Sequence, residues 1–144
     1  MRKRTHLSQQ VLRSGVRFHG HLGPFLVLGL RIGSLAARIL HPRGIHEMSA
    51  TVWLRQTPPH SCLLDGLQVS SGCTLGKGNI KVRNAPSIRA RFCRGDRSVV
   101  IRPTENARQL LATVTRHTPE DDLRKMALSM VKMRDHDLFV VSRS

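Results

Sequence analysis

At 144 residues the chain is of single-domain size and can bury ~70% of its unfolded surface, so it needs no disulfide framework or structural metal to fold. Its formal charge of +15, with 19 of the 24 basic residues arginine, sets up a strong positive field, but the bases are spread along the whole chain. Aromatics are only 3% and tyrosine is absent, so stacking platforms for single strands are scarce and an acidic protein is a better expected partner than nucleic acid.

The basic start MRKRTHLSQQ has no apolar run directly behind it and is not read as a secretory leader. Leu7 to Phe18 reads as a first helix, with Leu7, Val11, Leu12 and Val16 at helical spacing. Gly23 precedes a proline and is pushed out of the α region, while Pro24 suits a first helical position. A second helix is therefore expected to about Leu40, with Phe25, Leu28, Ile32, Leu35, Ala36 and Ile39 facing a core. Arg31, Arg38 and four Gly or Pro residues interrupt Leu22 to Leu40, so this stretch is not a membrane span. Its Gly29-x-x-x-Gly33 pair reads as a close-packing surface.

Glu47 to Leu54 has strand composition, and Pro58-Pro59 ends it. Ser61 to Ser71 predicts a short helix, with Gly72 suited to a left-handed position at its end. Strands are expected over Asn79 to Asn84, Ser87 to Cys93 and Ser98 to Arg102, the last two joined as a hairpin at Arg94-Gly95-Asp96. Thr104 to Thr115 and Pro119 to Arg134 predict helices, the second capped by Thr118, and Leu138 to Val141 a last strand. Helices flanking a mostly antiparallel sheet make one α+β domain over 1–144.

Two stretches carry chemistry. In "FHGHLGPF", His19 and His21 would diverge on a helix but share a face in an extended segment, which Gly20 makes easy. In "CLLDGLQVSSGCTLGKGN", Cys62 and Asp65 share one helix face. A first-turn thiol has its anion favoured by the helix dipole, so its pKa is expected to fall. Cys62 and Cys73 stand 11 residues apart, ~16 Å of rise on an unbroken helix, so both reach one ion only if the chain reverses at Gly72. "GCTLGKGN" lacks the Walker A spacing; its amides and Lys77 form at most a glycine-rich anion cradle. Three cysteines, Cys62, Cys73 and Cys93, are an odd number without framework spacing and read as free thiols of a reducing, cytoplasmic setting. Two imidazoles and one or two thiols compose a legitimate zinc site, although iron or nickel would accept the same donors.

Together "FHGHLGPFLVLGLRIG" and "CLLDGLQVSSGCTLGKGNI" resemble, in order and separation, the two signature motifs of the formylmethanofuran dehydrogenase E-subunit family, with the likeness covering Leu7 to Arg102. The resemblance implies an α+β core that tends to homodimerise, without the C-terminal treble-clef zinc finger of some members. It implies a candidate metal or active site at His19, His21, Cys62, Asp65, Gln68, Cys73 and Lys77. Many relatives have Cys-Pro-Gly where this chain has Gly23-Pro24-Phe25, so one thiol of that pattern is missing. The family is labelled from a molybdenum or tungsten enzyme of one-carbon chemistry in methanogens. The resulting expectation is a metal-binding protein, a small metalloenzyme or an accessory subunit. Zinc would be held by His21, Cys62 and Cys73, with His19 as fourth ligand or as a partner behind the ligands. Asp65 would act as base or orienter, and Lys77 would hold a small anionic substrate. Two other readings stay open: a noncatalytic assembly subunit docking an acidic partner through the basic surface, and a nucleic-acid binder.

Overall fold

The structure, a computed structural model, describes residues 7–144; the basic start at 1–6 lies outside them. Helix α1 (Gln9–His19) opens on Ser8, whose hydroxyl accepts from the Val11 amide at 3.1 Å, and closes on Gly20 at φ 109°. Helix α2 (Pro24–Leu40) starts with Pro24 in its first turn, and thirteen of its residues are buried. An apolar run buried nearly all round is what a helix central to a layer requires.

Strand β1 (Ser49–Leu54) leads through helix α3 (Cys62–Ser71) to β2 (Ile80–Asn84), which pairs with β1 in parallel. This β–α–β crossover was not expected from the sequence, because parallel pairing leaves no turn signature between the strands. Strands β3 (Arg89–Arg94) and β4 (Arg97–Pro103) form the expected hairpin about Gly95, at φ 60°. Helices α4 (Glu105–Ala112), α5 (Glu120–Lys132) and the short α6 (Asp135–Leu138) precede β5 (Phe139–Arg143). Strand order is β2-β1-β3-β4-β5, antiparallel except for β1–β2. The domain is α+β.

One difference sits at α5: Pro119, not Thr118, is its N-cap, and Thr118 Oγ1 instead accepts from the Thr115 amide at 2.9 Å to close the preceding turn. Helix α6, too short for a periodicity signal, falls between the predicted helix ending at Arg134 and the predicted last strand, and takes that strand's first residue, Leu138.

Alternation along the strands splits the sheet. Ala50, Val52, Leu54, Ala90, Phe92, Val99 and Ile101 point inward and join Phe25, Leu28, Ile32 and Leu35 of α2 in one core. Helix α3 lies against α2 through glycines. A Cβ at Gly29 would fall 2.0 Å from Leu63 O, and one at Gly66 2.2 Å from Leu26 O. The Gly29-x-x-x-Gly33 pair is therefore a packing surface, and it sets the axis on which Cys62 and Asp65 ride. Among the described residues, no helix is long and apolar enough to cross a membrane.

Candidate functional site

Three helix ends meet beside the core: the C-terminus of α1, the N-terminus of α2 and the N-terminus of α3. His19 is the last residue of α1, and the left-handed Gly20 turns the chain so that His21 follows outside the helix. The expected extended segment is absent, yet the turn brings the imidazoles together, with ring centroids 4.7 Å apart. Gly23, extended at φ −145°, caps α2. A Cβ there would lie 3.2 Å from His21 Cε1, so the position at which the resemblance implies a cysteine stands directly beside this imidazole.

From α3, Asp65 reaches back to His19, with Nδ1 and Oδ2 2.7 Å apart. An ionised carboxylate only accepts, so Nδ1–H donates to it, and in the neutral imidazole the lone pair is then on Nε2. His19 is 10% exposed and Asp65 37%. The His19 Nε2 atom is buried and has no partner in the protein, an uncommon state for a buried polar atom. His19, His21 and Cys62 line one cavity of about 270 Å³, walled by Phe25, Leu26, Pro58, Pro59, Val114 and Leu123, with Thr115, Arg116 and Thr118 also on its lining.

The other expected residues fall elsewhere. Cys73 lies past the C-terminus of α3, fully buried, its thiol 3.5 Å from Met48 O. The left-handed Gly72 does turn the chain, but it directs Cys73 into the core beneath β1 and not back along α3, so the thiol is not on the cavity lining. Lys77 lines a separate depression with Gly72, Met48 and Asn79. Gln68 staples its own segment, with Nε2 donating to Leu64 O and Oε1 accepting from the Leu75 amide. Asp65 stands within hydrogen-bond reach of His19. The cation on the cavity lining is Arg116, from the α4–α5 connection, whose sequence carries no motif to single it out.

Cys62 departs from expectation in its electrostatics. Burial first, and the neighbouring Asp65 charge second, push its thiol up, outweighing the backbone amide at the helix start. Burial likewise pushes Cys73 up, against opposing help from Ser71 and Lys77. Among the described residues, no three His, Cys, Asp or Glu side chains stand as placed in a group able to hold a metal ion.

Comparison with known proteins bears on these residues. A family model described as "FmdE, Molybdenum formylmethanofuran dehydrogenase operon" matches residues 18–140. A protein of Archaeoglobus fulgidus named "Probable S-adenosyl-L-methionine-binding protein" is 38% identical over 80 residues, covering 53% of this chain and 21% of that protein. The chain thus spans about a fifth of that relative's length. The crystal structure of a tungsten formylmethanofuran dehydrogenase FmdE-like protein from Syntrophus aciditrophicus superposes with a TM-score of 0.59 at 19% identity, over 100% of this chain and 77% of its own. That likeness is one of fold.

Proposed function

The chain belongs to the FmdE family, and from that premise we propose that its three-helix cavity binds a transition-metal ion, zinc foremost, in the service of small-molecule chemistry. The single observation that carries this reading is the buried, unpartnered His19 Nε2, whose opposite ring nitrogen is held by Asp65. Metal-bound histidines are characteristically backed in this way by a carboxylate, which fixes the tautomer and raises the basicity of the ligating nitrogen.

The donor set suits the ion: His19 Nε2, His21 and Cys62 offer two imidazoles and a thiol around one cavity. His21 is exposed and is the donor with freedom to turn toward the other two. Gly23 and Cys73 add no thiol, so the ligand set is one of three residues. Bound there, zinc supplies Lewis-acid polarisation of a substrate group. The chain's own residues do the rest. Asp65 holds the His19 proton on Nδ1, the apolar walls exclude water, and Arg116 draws an anionic group to the cavity. At about 270 Å³ the space lies just under the usual range for drug-sized ligands and suits a small one-carbon or few-carbon substrate.

A second reading has its own support in the His19–Asp65 pair at 2.7 Å and the absence of a ready three-donor group among the described residues. Here His19 Nε2 accepts a proton directly from a bound substrate, within the dyad and without metal. Elemental analysis of the purified protein separates the two. The metal reading expects about one zinc per chain, lost in His19→Ala and Cys62→Ser, retained in Cys73→Ser, and bound about 10- to 100-fold more weakly in Asp65→Asn. Zinc well below stoichiometry in the unmodified protein, after zinc-replete expression, sinks that reading and leaves the dyad.

A further inference from the structure

On the face of the sheet turned away from α2, strand register gathers cations that the sequence scatters. Thr51 pairs with Lys81 on one side and Arg91 on the other, and Arg91 in turn with Val100. One pleat along, Trp53 pairs with Arg83 and Arg89, while Arg102 lies on β4. Their inward neighbours Val52, Ala90 and Ile101 are buried, so these side chains share the outer face. Lys81, Arg83, Arg89, Arg91 and Arg102 are all exposed. Among the described residues, no ion pair engages any of the five.

A depression of about 560 Å³ on this face is lined by Trp53, Arg89 and Arg102, with Arg108 at its margin. Arg108 is engaged by the Glu105 carboxylate. The Arg89 guanidinium lies over the Trp53 ring, 4.1 Å from its centroid, so a cation and a flat, polarisable face are held together. Cations on such a sheet stand ~7 Å apart along a strand and ~5 Å apart between strands, a ladder that a flexible phosphate backbone can follow.

We infer that this open sheet face binds single-stranded nucleic acid, with phosphates along the Lys81–Arg83 and Arg89–Arg91 pairs and a base stacked on the Trp53–Arg89 platform. Charge alone would equally suit an acidic protein. The indole face decides between them, because a carboxylate gains nothing from stacking on it whereas every base has a π face. The flat, open surface also favours splayed bases over a duplex, which is read by elements that enter a groove. The inference is independent of the cavity chemistry, which lies beside the helices.

Trp53 is the chain's one tryptophan, so its fluorescence reports directly on this face. The test titrates the full chain with oligouridylate and oligothymidylate 12-mers, and with polyglutamate of matched length, reading Trp53 quenching and, with end-labelled polymers, anisotropy. Quenching by the oligonucleotides, with affinity falling steeply as salt rises, is expected. Arg89→Gln and Arg91→Gln should each lower the salt slope by about one, and Trp53→Leu should weaken binding about tenfold. Exposed arginines of the helical layer serve as controls: Arg13→Gln and Arg124→Gln should change affinity less than about twofold. Circular dichroism checks that each variant is folded, and Arg102→Gln provides a second weakening variant should Trp53→Leu not fold. No binding at low salt, equal losses in the helical-layer controls, or polyglutamate binding as tightly as the oligonucleotides would each overturn the inference, the last assigning the face to an acidic protein.

Discussion

Arg31 shows how a single side chain ties distant segments together. Its fully buried guanidinium donates to the carbonyls of Met130 at 2.8 Å and Val131 at 3.2 Å, in the last turn of α5, and to Asp135 at 3.0 Å. Arg38 grips the same carboxylate at 3.1 Å. Burial works to raise the Asp135 pKa, but the hydrogen bonds from Arg38 and Arg31 outweigh it and hold the carboxyl below its ordinary value. A carboxylate depressed in the folded state contributes stability that is complete above its unfolded pKa, near 4, and is lost as pH falls through the folded value. Asp135→Asn should therefore cost about 3 kcal/mol at pH 7, because it strands a buried guanidinium. In urea unfolding the gap between variant and parent should narrow as pH drops below about 4; a gap equally wide at pH 3 and pH 7 would refute this assignment. In the sequence Arg31 reads only as a break in an apolar run. Its partner lies 104 residues away, a pairing that no local pattern encodes. The dyad of His19 and Asp65, 46 residues apart, was half legible: both residues belong to quoted motifs, but the bond between them depends on how α1 meets α3.

At the level of elements, the glycines between α2 and α3 fix where the site's side chains stand. Gly66→Ala would drive a methyl group toward Leu26 O and the Leu30 amide. These are backbone atoms of a helix that is itself packed in the core, so they cannot swing aside. A loss of at least about 2–3 kcal/mol in denaturant unfolding is expected and, on the proposed metal reading, weakened zinc retention, because α3 carries Cys62 and Asp65. Gly76→Ala, with open space around it, should leave stability within about 0.5 kcal/mol. If the two substitutions behave alike, close helix approach is not what positions the site. Most elements were readable because periodicity and punctuation agree there: Pro24 at a helix start, the left-handed Gly72 at a helix end, and Gly95 in a hairpin turn. The parallel β1–β2 pair and the route of the chain after Gly72 were not. Both are set by how α3 packs, and that decision sent Cys73 into the core in place of the cavity.

For the whole molecule, a charge of +15 is a standing repulsion that the compact state concentrates. The Debye length shrinks from about 10 Å at 0.1 M salt to about 3 Å at 1 M. Raising sodium chloride from 0.05 to 0.5 M should therefore lift Tm, at roughly 2–4 °C for each kcal/mol relieved. A fall in Tm by calorimetry would mean that attractive ion pairs, such as those of Asp135, outweigh the repulsion. The sheet's outer margin adds a different consequence. β2 ends the sheet on one side, and an unpaired strand invites a neighbouring copy to add its own. Here that strand is five residues long and displays Lys81 and Arg83 to solvent. Two such margins brought together would set like charges side by side, a cost against growth of the sheet from copy to copy that a plainer border would lack.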